Sequence, residues 1–584
     1  MIKYKNIKLF AVIGLIMAVG CTKLNENLGS SLTSNQTATA LGASGVGLLL
    51  QAAYVDLGTP FTAQDHIFCL EENTADYALV PTRGGDWDDN GVWRVLHNHT
   101  WDYTHADILG TFNSLNKLNF DATNVLAFQP SKQQAAEATV LRAIALYYLM
   151  DLYGQFPIRN PGDNLLNAPT VMTGAPAAQL IIDQVTAVLP NLVSFSIGNA
   201  GQISKEAAEA LLMRTYLNRG AWLNRTSPTF ADADMQQVIT LGNAIMSSGK
   251  FSYASDYFSN FSASNGNSTE NIFTYVNNSG VAANNSGPDA QYLMQAHYNQ
   301  YIKYNPNAGW NGFSTVSDFY NSFGVNGKVM VGATLMASAN PGVTSATDPK
   351  VGPYADTAFD TRIGGRYYPG LTNVSGERPG LQIGQQWGFG NSTVSPTLIP
   401  DQDRKGNFLQ FTPVISANQI ETNPNTLEMT GIRAEKYVPD MSSAGANYEG
   451  PAGNSIVIFS YPDVVLMVAE AKLRAATPDA AGALTLVNNL RAARGANPMA
   501  APLTLLDNGT YANITSMVDN PNCLLAERGR ELYWQETRRT DLIRFGVFNK
   551  IWQYKPTDDA HYNVFPIPQQ ALASNPNLKQ NPGY

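Results

Sequence analysis

The chain has 584 residues and a formal net charge of −9, so it is expected to form several domains or one large helical body. Only 14% of the residues are charged, against 48 Gly, 27 Tyr and 8 Trp, a composition suited to an extracytoplasmic protein with long polar loops. No basic stripe exists to neutralise phosphates, which excludes nucleic acid as a partner.

The first residues carry an address. Lys3, Lys5 and Lys8 precede the apolar run LFAVIGLIMAV, which is too short for an ordinary transmembrane helix and reads as a signal peptide over residues 1–20. Ala18-Val19-Gly20-Cys21 follows directly. It resembles the lipobox cut by lipoprotein signal peptidase, with Ala18 where Leu is usual. Cys21 is then the acylated first residue of the mature chain, and two or more acyl chains hold a protein stably on a membrane. A plain secretory signal with a coincidental Cys is the alternative. Residues 21–40 are polar and read as a tether. No other run is long enough to span a bilayer.

Helices alternate with polar loops through the next part. A helix is expected over 35–60, a loop-like stretch over 71–100 and a helix over 101–120. Ser131 with Gln134 three positions on forms a capping box, and apolar residues continue at helical spacing until Gly154 and Pro157 end the helix. Further helices are expected from Pro176 to Leu189, from Ser204 to Gly220 and over 233–248. The segment Glu270-Asn271-Ile272-Phe273 reads as a short strand. From 278 to 450 periodicity disappears. Asp360 and Arg362 read as a structural ion pair there. Val464, Met467, Val468 and Ala471 then line one stripe of a helix, and another runs from Thr477-Pro478-Asp479 to Gly495. Small residues recur in several of these helices, as in helix-pair repeats of the tetratricopeptide kind. A long helix is expected after Cys523. Its Glu527, Arg528, Arg530, Glu531, Glu536, Arg538, Arg539, Asp541 and Arg544 permit pairing across turns, which fits either a solvated, salt-bridged helix or a structural brace.

Signs of chemistry are few. No G-x-S-x-G, H-E-x-x-H, Walker loop or helix-opening G-x-G-x-x-G is present. His97, His99 and His105 cluster without a carboxylate or Cys partner in a metal-binding pattern. Asp86, Asp88, Asn90 and Gly91 begin like a calcium loop, but the bidentate Glu such a loop needs falls on His97. Cys69 and Cys523 are either one disulfide or two buried thiols; both lie in apolar runs. What remains is aromatic residues in loops. Flat rings stack on the C–H faces of sugars, and Asn, Asp, Gln or Arg can ring the hydroxyls. One cluster is Tyr77, Arg83, Trp87, Trp93, Asn98 and Trp101. The second is Tyr292, Tyr298, Tyr301, Tyr304, Trp310 and Asn311. A rigid scaffold commonly presents binding residues on such loops.

Several stretches, in order along the chain, resemble the SusD/RagB family of nutrient-binding outer-membrane lipoproteins. They are the lipobox, LRAIALYYLMDLYG with Arg142, the helix with Asp463, Glu470 and Ala471, the run ERGREL to RRTDLIRFG, and the closing PIPQQ and QNPGY. The family usually has Gly where Thr537 stands. The resemblance implies a mainly α fold, a tetratricopeptide-like helix-pair superhelix with a large irregular loop-rich region alongside. Helical parts over 41–277 and 451–584 would flank the region 278–450. The charged C-terminal segment would be a structural clasp. The resemblance also implies a lipid-anchored surface protein that binds glycan, catalyses nothing, needs no cofactor, and delivers its ligand to a SusC-like TonB-dependent transporter. Binding of peptides or another nutrient is the alternative on the same fold. A surface glycan hydrolase would instead require two facing carboxylates.

Overall fold

Ser131 and Gln134 cap the helix they were expected to begin. The Ser131 hydroxyl accepts from the Gln134 N–H at 3.2 Å, and the Gln134 carboxamide accepts from the Ser131 N–H at 3.0 Å. The computed structural model describes residues 34–83, 87–277, 291, 293–300, 309–323, 360–364, 379–382, 384–388, 397–399, 409–411, 415, 427–437, 453–506 and 523–584. The signal peptide and Cys21 lie outside these residues, as do Asp86, Tyr292, Tyr301 and Tyr304.

The described structure is mainly helical. Its helices are α1 (Ser34–Val55), α2 (Gly58–Thr62), α3 (Val92–His97), α4 (Ala106–Ala127), α5 (Lys132–Tyr153), α6 (Gly174–Val188), α7 (Lys205–Leu223) and α8 (Asp232–Ser247). Then come α9 (Ser317–Asn321), α10 (Tyr461–Arg474), α11 (Ala480–Ala493), α12 (Leu524–Leu532), α13 (Arg538–Arg544) and α14 (Gln569–Ser574). Successive helices stack: α4 on α5, α5 on α6, α6 on α7, α7 on α8. The stack continues with α10 on α8 and α11 on α10. Strand Asn271–Tyr275 pairs antiparallel with Ile456–Ser460, which ties two stretches distant in the chain. No described helix is long and apolar enough to cross a membrane.

Three stretches depart from the sequence expectation, each for a physical reason. The helix after Ser204 passes Gly220 and ends at Leu223. Gly220 serves close packing there, since a Cβ would stand 1.6 Å from the Thr229 carbonyl oxygen. Residues 71–100 are not a loop. Gln64–Asn73 is π-helical, Ala78–Leu79 pairs with Ser314–Thr315, and α3 follows. This stretch reads as polar because Glu71, Glu72 and Asp76 are needed inside, where they meet the C-terminal segment. That segment is two helices and not one. Trp534 and Glu536 adopt left-handed backbone (φ 60° and 59°) between α12 and α13. Glu72 Oε1 accepts the N–H groups of Glu536 and Thr537 that the break frees.

The solvated reading of the C-terminal charges fails. Glu527, Arg528, Arg530, Glu531, Arg538, Arg539, Asp541 and Arg544 are each at most 3% exposed. Glu527 receives Arg362, Arg491 and Arg530 at 2.9, 2.5 and 2.8 Å. Glu531 receives Arg362 and Arg494, and Arg494 continues to Glu270. Arg528 joins Asp463 to Asp541, while Arg544 joins Asp541 to Glu470. Arg538 reaches Asp76 at 2.7 Å. The Asp360–Arg362 pair is present at 2.7 Å and belongs to this network. Burial alone would raise the Glu470 carboxyl, yet Arg544 and Arg474 bring it down to about 2. Cys69 and Cys523 are separate buried thiols, donating to the carbonyls of His66 and Leu505.

Among the described residues, removing Glu470 takes the only paired carboxylate from Arg474 and one of two from Arg544, so Glu470→Ala should lose about 3–5 kcal/mol of stability. A fall in the urea midpoint checks this, and an unchanged midpoint would refute the clasp. Glu72 makes the opposite prediction. Burial pushes its carboxyl from 4.5 up to about 7. The folded value lies above the unfolded one, so the ionised form costs stability above about pH 7 and the cost fades as the pH falls toward 4.5. Glu72→Gln keeps an acceptor for the two N–H groups. It should melt higher than the parent near pH 8–9, with the gap closing near pH 5; a gap independent of pH would contradict the assignment.

Candidate ligand-binding site

The antiparallel pairing of Ala78–Leu79 with Ser314–Thr315 places the first aromatic cluster beside the second. Trp87 Nε1 donates to the Trp310 carbonyl at 2.6 Å. The Trp87 indole lies against Gly312, where a Cβ would come within 2.3 Å of the ring. Trp87, Trp93 and Phe313 form a triangle with ring centroids 5.3–5.6 Å apart. Trp93 Nε1 donates to Asp89 Oδ2 at 2.7 Å.

Two buried arginines bolt the loops together. Arg83 donates to the Thr430 carbonyl (2.5 Å), the Ser314 hydroxyl (2.6 Å) and the Gly312 carbonyl (3.1 Å). Arg433 donates to the same Ser314 hydroxyl and Thr430 carbonyl, and to the Asn311 carboxamide oxygen at 2.7 Å. Burial and the neighbouring Arg433 charge push Arg83 well below its usual range, and burial pushes Arg433 down to about 9. Tyr298 lies close enough to act electrostatically on both.

The backbone is strained where the aromatics emerge. Trp87, Asp89, Asn90 and Asn311 have φ between 40° and 59°. Non-glycine residues adopt that region uncommonly, and it persists where surrounding contacts over-determine it, often at binding sites. Trp87, Tyr298 and Trp310 are half-buried, with exposed Asp88, Asp89 and Asn90 beside Trp87. The result is a rigid aromatic surface rimmed by carboxylates and a carboxamide.

The structure therefore brings together Arg83, Trp87, Trp93, Trp310 and Asn311 from the two clusters. It places the others differently. Tyr77 is fully buried, packs on Phe319 and accepts from the Trp534 N–H. Trp101 is 3% exposed and donates to the Tyr584 hydroxyl. Both rings serve the C-terminal packing. Asn98 is half-buried behind α3. Trp93 and Asn311 are also buried, so they shape the surface from behind. Sequence reasoning missed Gly312, Phe313 and Arg433. The first two adjoin Trp310 in the chain, whereas nothing local marks Arg433.

The histidines have separate structural duties. His97 faces the carbonyls of Ala78 and Gln553, and burial lowers it to about 4. His99 stacks on Phe548 and bonds Asp558 and the Thr74 carbonyl. His105 reaches the Val92 carbonyl. Among the described residues no group of three or more His, Cys, Asp or Glu could hold a metal ion. Asp88 and Asp89, from the calcium-like run, are engaged by Arg94 and Trp93.

Comparison with known proteins supplies the lineage. The SusD family model matches residues 258–584. The chain is 23% identical over 482 residues to the starch-binding protein SusD of Bacteroides thetaiotaomicron, covering 80% of this chain and 75% of that one. Among solved structures, a laminarin-binding SusD-like protein superposes with a TM-score of 0.62 at 16% identity, covering 93% of this chain and 99% of that one. Surface glycan-binding protein A from Bacteroides thetaiotaomicron, in complex with laminarihexaose, gives 0.61 at 15% identity, covering 92% and 99%. The motifs, the helix stack and the family match agree: the chain belongs to the SusD family.

Proposed function

We propose that this protein is a surface lipoprotein that binds oligosaccharide on the Trp87–Trp310 face and delivers it to a SusC-like TonB-dependent transporter. The observation that carries the reading is the meeting of Trp87 and Trp310 from two distant stretches on a locked backbone. Half-buried rings give apolar area to sugar C–H faces, while a few placed polar groups fix orientation, as in small-molecule sites generally. A starch-binding relative and laminarin- and laminarihexaose-binding structural neighbours support glycan as the cargo. The transporter partner comes from family membership.

The role is binding without catalysis. Asp88 and Asp89, the carboxylates beside the rings, already hold Arg94 and Trp93. A glycosidase instead needs one carboxyl kept protonated and another across the scissile bond. Residues 1–20 are the signal peptide, 21–40 the tether, and Cys21 the acylated residue that places the body at the outer surface.

The test is calorimetric titration of the full chain, held in a detergent without a sugar headgroup, against maltohexaose, laminarihexaose and neutral peptides. A saturable response to one hexaose should weaken roughly tenfold to a hundredfold on Trp87→Ala or Trp310→Ala. Response to peptides alone would replace the glycan reading, and appearance of reducing ends would replace binding with hydrolysis. Cys21→Ala should move the protein out of the membrane fraction; retention there would count against the anchor.

A further inference from the structure

An open groove of about 460 Å³ runs between α4, strand Gln155–Ile158 and α14. None of its lining residues belongs to the Trp87 site. Its size lies within the range of small-molecule sites.

The walls are fixed. Asn119 Nδ2 donates to the Pro157 carbonyl at 2.9 Å, and Asn577 Nδ2 to the Pro169 carbonyl at 2.9 Å. Arg159 is committed to the carbonyls of Asn164 and Leu165 at 3.2 and 3.5 Å. Asn116 Nδ2 is tied to the Phe112 carbonyl, 2.8 Å away.

Several lining side chains are left exposed, and one buried acceptor is left unpaired. Phe120 is 39% exposed, a large ring without cover. Asn113 and Gln570 are exposed and line the groove. Asn119, only 6% exposed, has a carboxamide oxygen with no hydrogen-bond partner. A buried acceptor left unpaired is costly.

We propose that this groove is a second carbohydrate-binding site, for one or two rings of a neutral oligosaccharide. A carboxamide offers donors and an acceptor side by side, which matches a hydroxyl that is both. Phe120 supplies the apolar face. Among the described residues no carboxylate lines the groove, so a cationic ligand finds no counter-ion there, and the donors of its one lining cation, Arg159, are turned to carbonyls. Peptide modes fit poorly. Pro157 has no N–H and its carbonyl is taken, which blocks strand addition along that edge. Asn113, Asn116 and Lys117 interrupt the i, i+3, i+4 apolar stripe that a helical peptide would need on α4. The groove's own residues form this second site, which does not depend on Trp87.

Hydrogen exchange on the full chain, with maltohexaose, laminarihexaose and cellohexaose as separate probes, reads the groove directly. At least one hexaose should slow exchange in peptides spanning 113–123 and 569–578. That protection should persist in the Trp87→Ala/Trp310→Ala variant and fall at least tenfold in apparent affinity on Phe120→Ala or Asn113→Ala. Both positions are solvent-exposed, and unchanged melting temperatures would confirm that the variants fold. Protection lost with the two tryptophans would leave one site and overturn the proposal. Protection insensitive to Phe120 and Asn113, protection by a neutral Gly-Ser-Ala decapeptide in place of any hexaose, or no protection by any probe would also overturn it. A groove that responds while Trp87→Ala changes nothing would instead sink the Trp87 site alone.

Discussion

The fold depends on burying charge in pairs. An ion moved into the interior loses several kcal/mol of hydration even after relaxation, and only close, multiply bonded counter-ions restore it. Glu527, with three arginines, and Arg494, with two glutamates, meet that condition. The network draws its members from everywhere: Asp76 near the start, Arg214 on α7, Glu270 before the strand, Arg362 beside Asp360, Asp463 and Glu470 on α10. No apolar contact could impose such register, because an apolar surface accepts many neighbours whereas a bidentate guanidinium accepts few geometries. The clasp is therefore best understood as a specifier of which helix meets which.

The proposed ligand surface is tied to the same clasp. Arg538 holds Asp76, two residues before the Ala78–Leu79 strand. The Trp534 N–H, at the left-handed break, bonds the Tyr77 hydroxyl. The Trp534 ring also packs toward Phe313, which in turn meets Trp87 edge-on at 5.6 Å. A continuous set of packed rings thus runs from the C-terminal break to the proposed ligand face. Arg83 and Arg433 complete it from the other side. A surface ordered before the ligand arrives does not spend binding energy on ordering itself.

Much of the fold was legible in the sequence where local chemistry decides. The capping box at Ser131 and Gln134 and the Asp479 cap needed no tertiary information. Local patterning failed where tertiary contacts overrode it. Glu71, Glu72 and Asp76 look like loop residues because their counterparts lie more than 450 positions away. Gly220 looks like a stop because its true constraint, the Thr229 carbonyl, is invisible to periodicity. The two aromatic stretches were visible as stretches. Which rings face outward was not, since Tyr77 and Trp101 differ from Trp87 and Trp310 only in what the C-terminal segment packs against them.

The arginine pair behind the aromatics bears on the cargo. Two adjacent guanidiniums would ordinarily mark an anion site. Here their donors are turned to the Thr430 and Gly312 carbonyls, the Ser314 hydroxyl and the Asn311 carboxamide. Their use is architectural: each spans two loops with hydrogen bonds that no shorter side chain could reach. With those two charges turned inward, the exposed polar groups beside Trp87 are Asp88, Asp89 and Asn90, and Arg94 is paired to Asp88. Such a rim disfavours acidic ligands and suits a neutral, hydroxyl-bearing chain lying flat across Trp87 and Trp310.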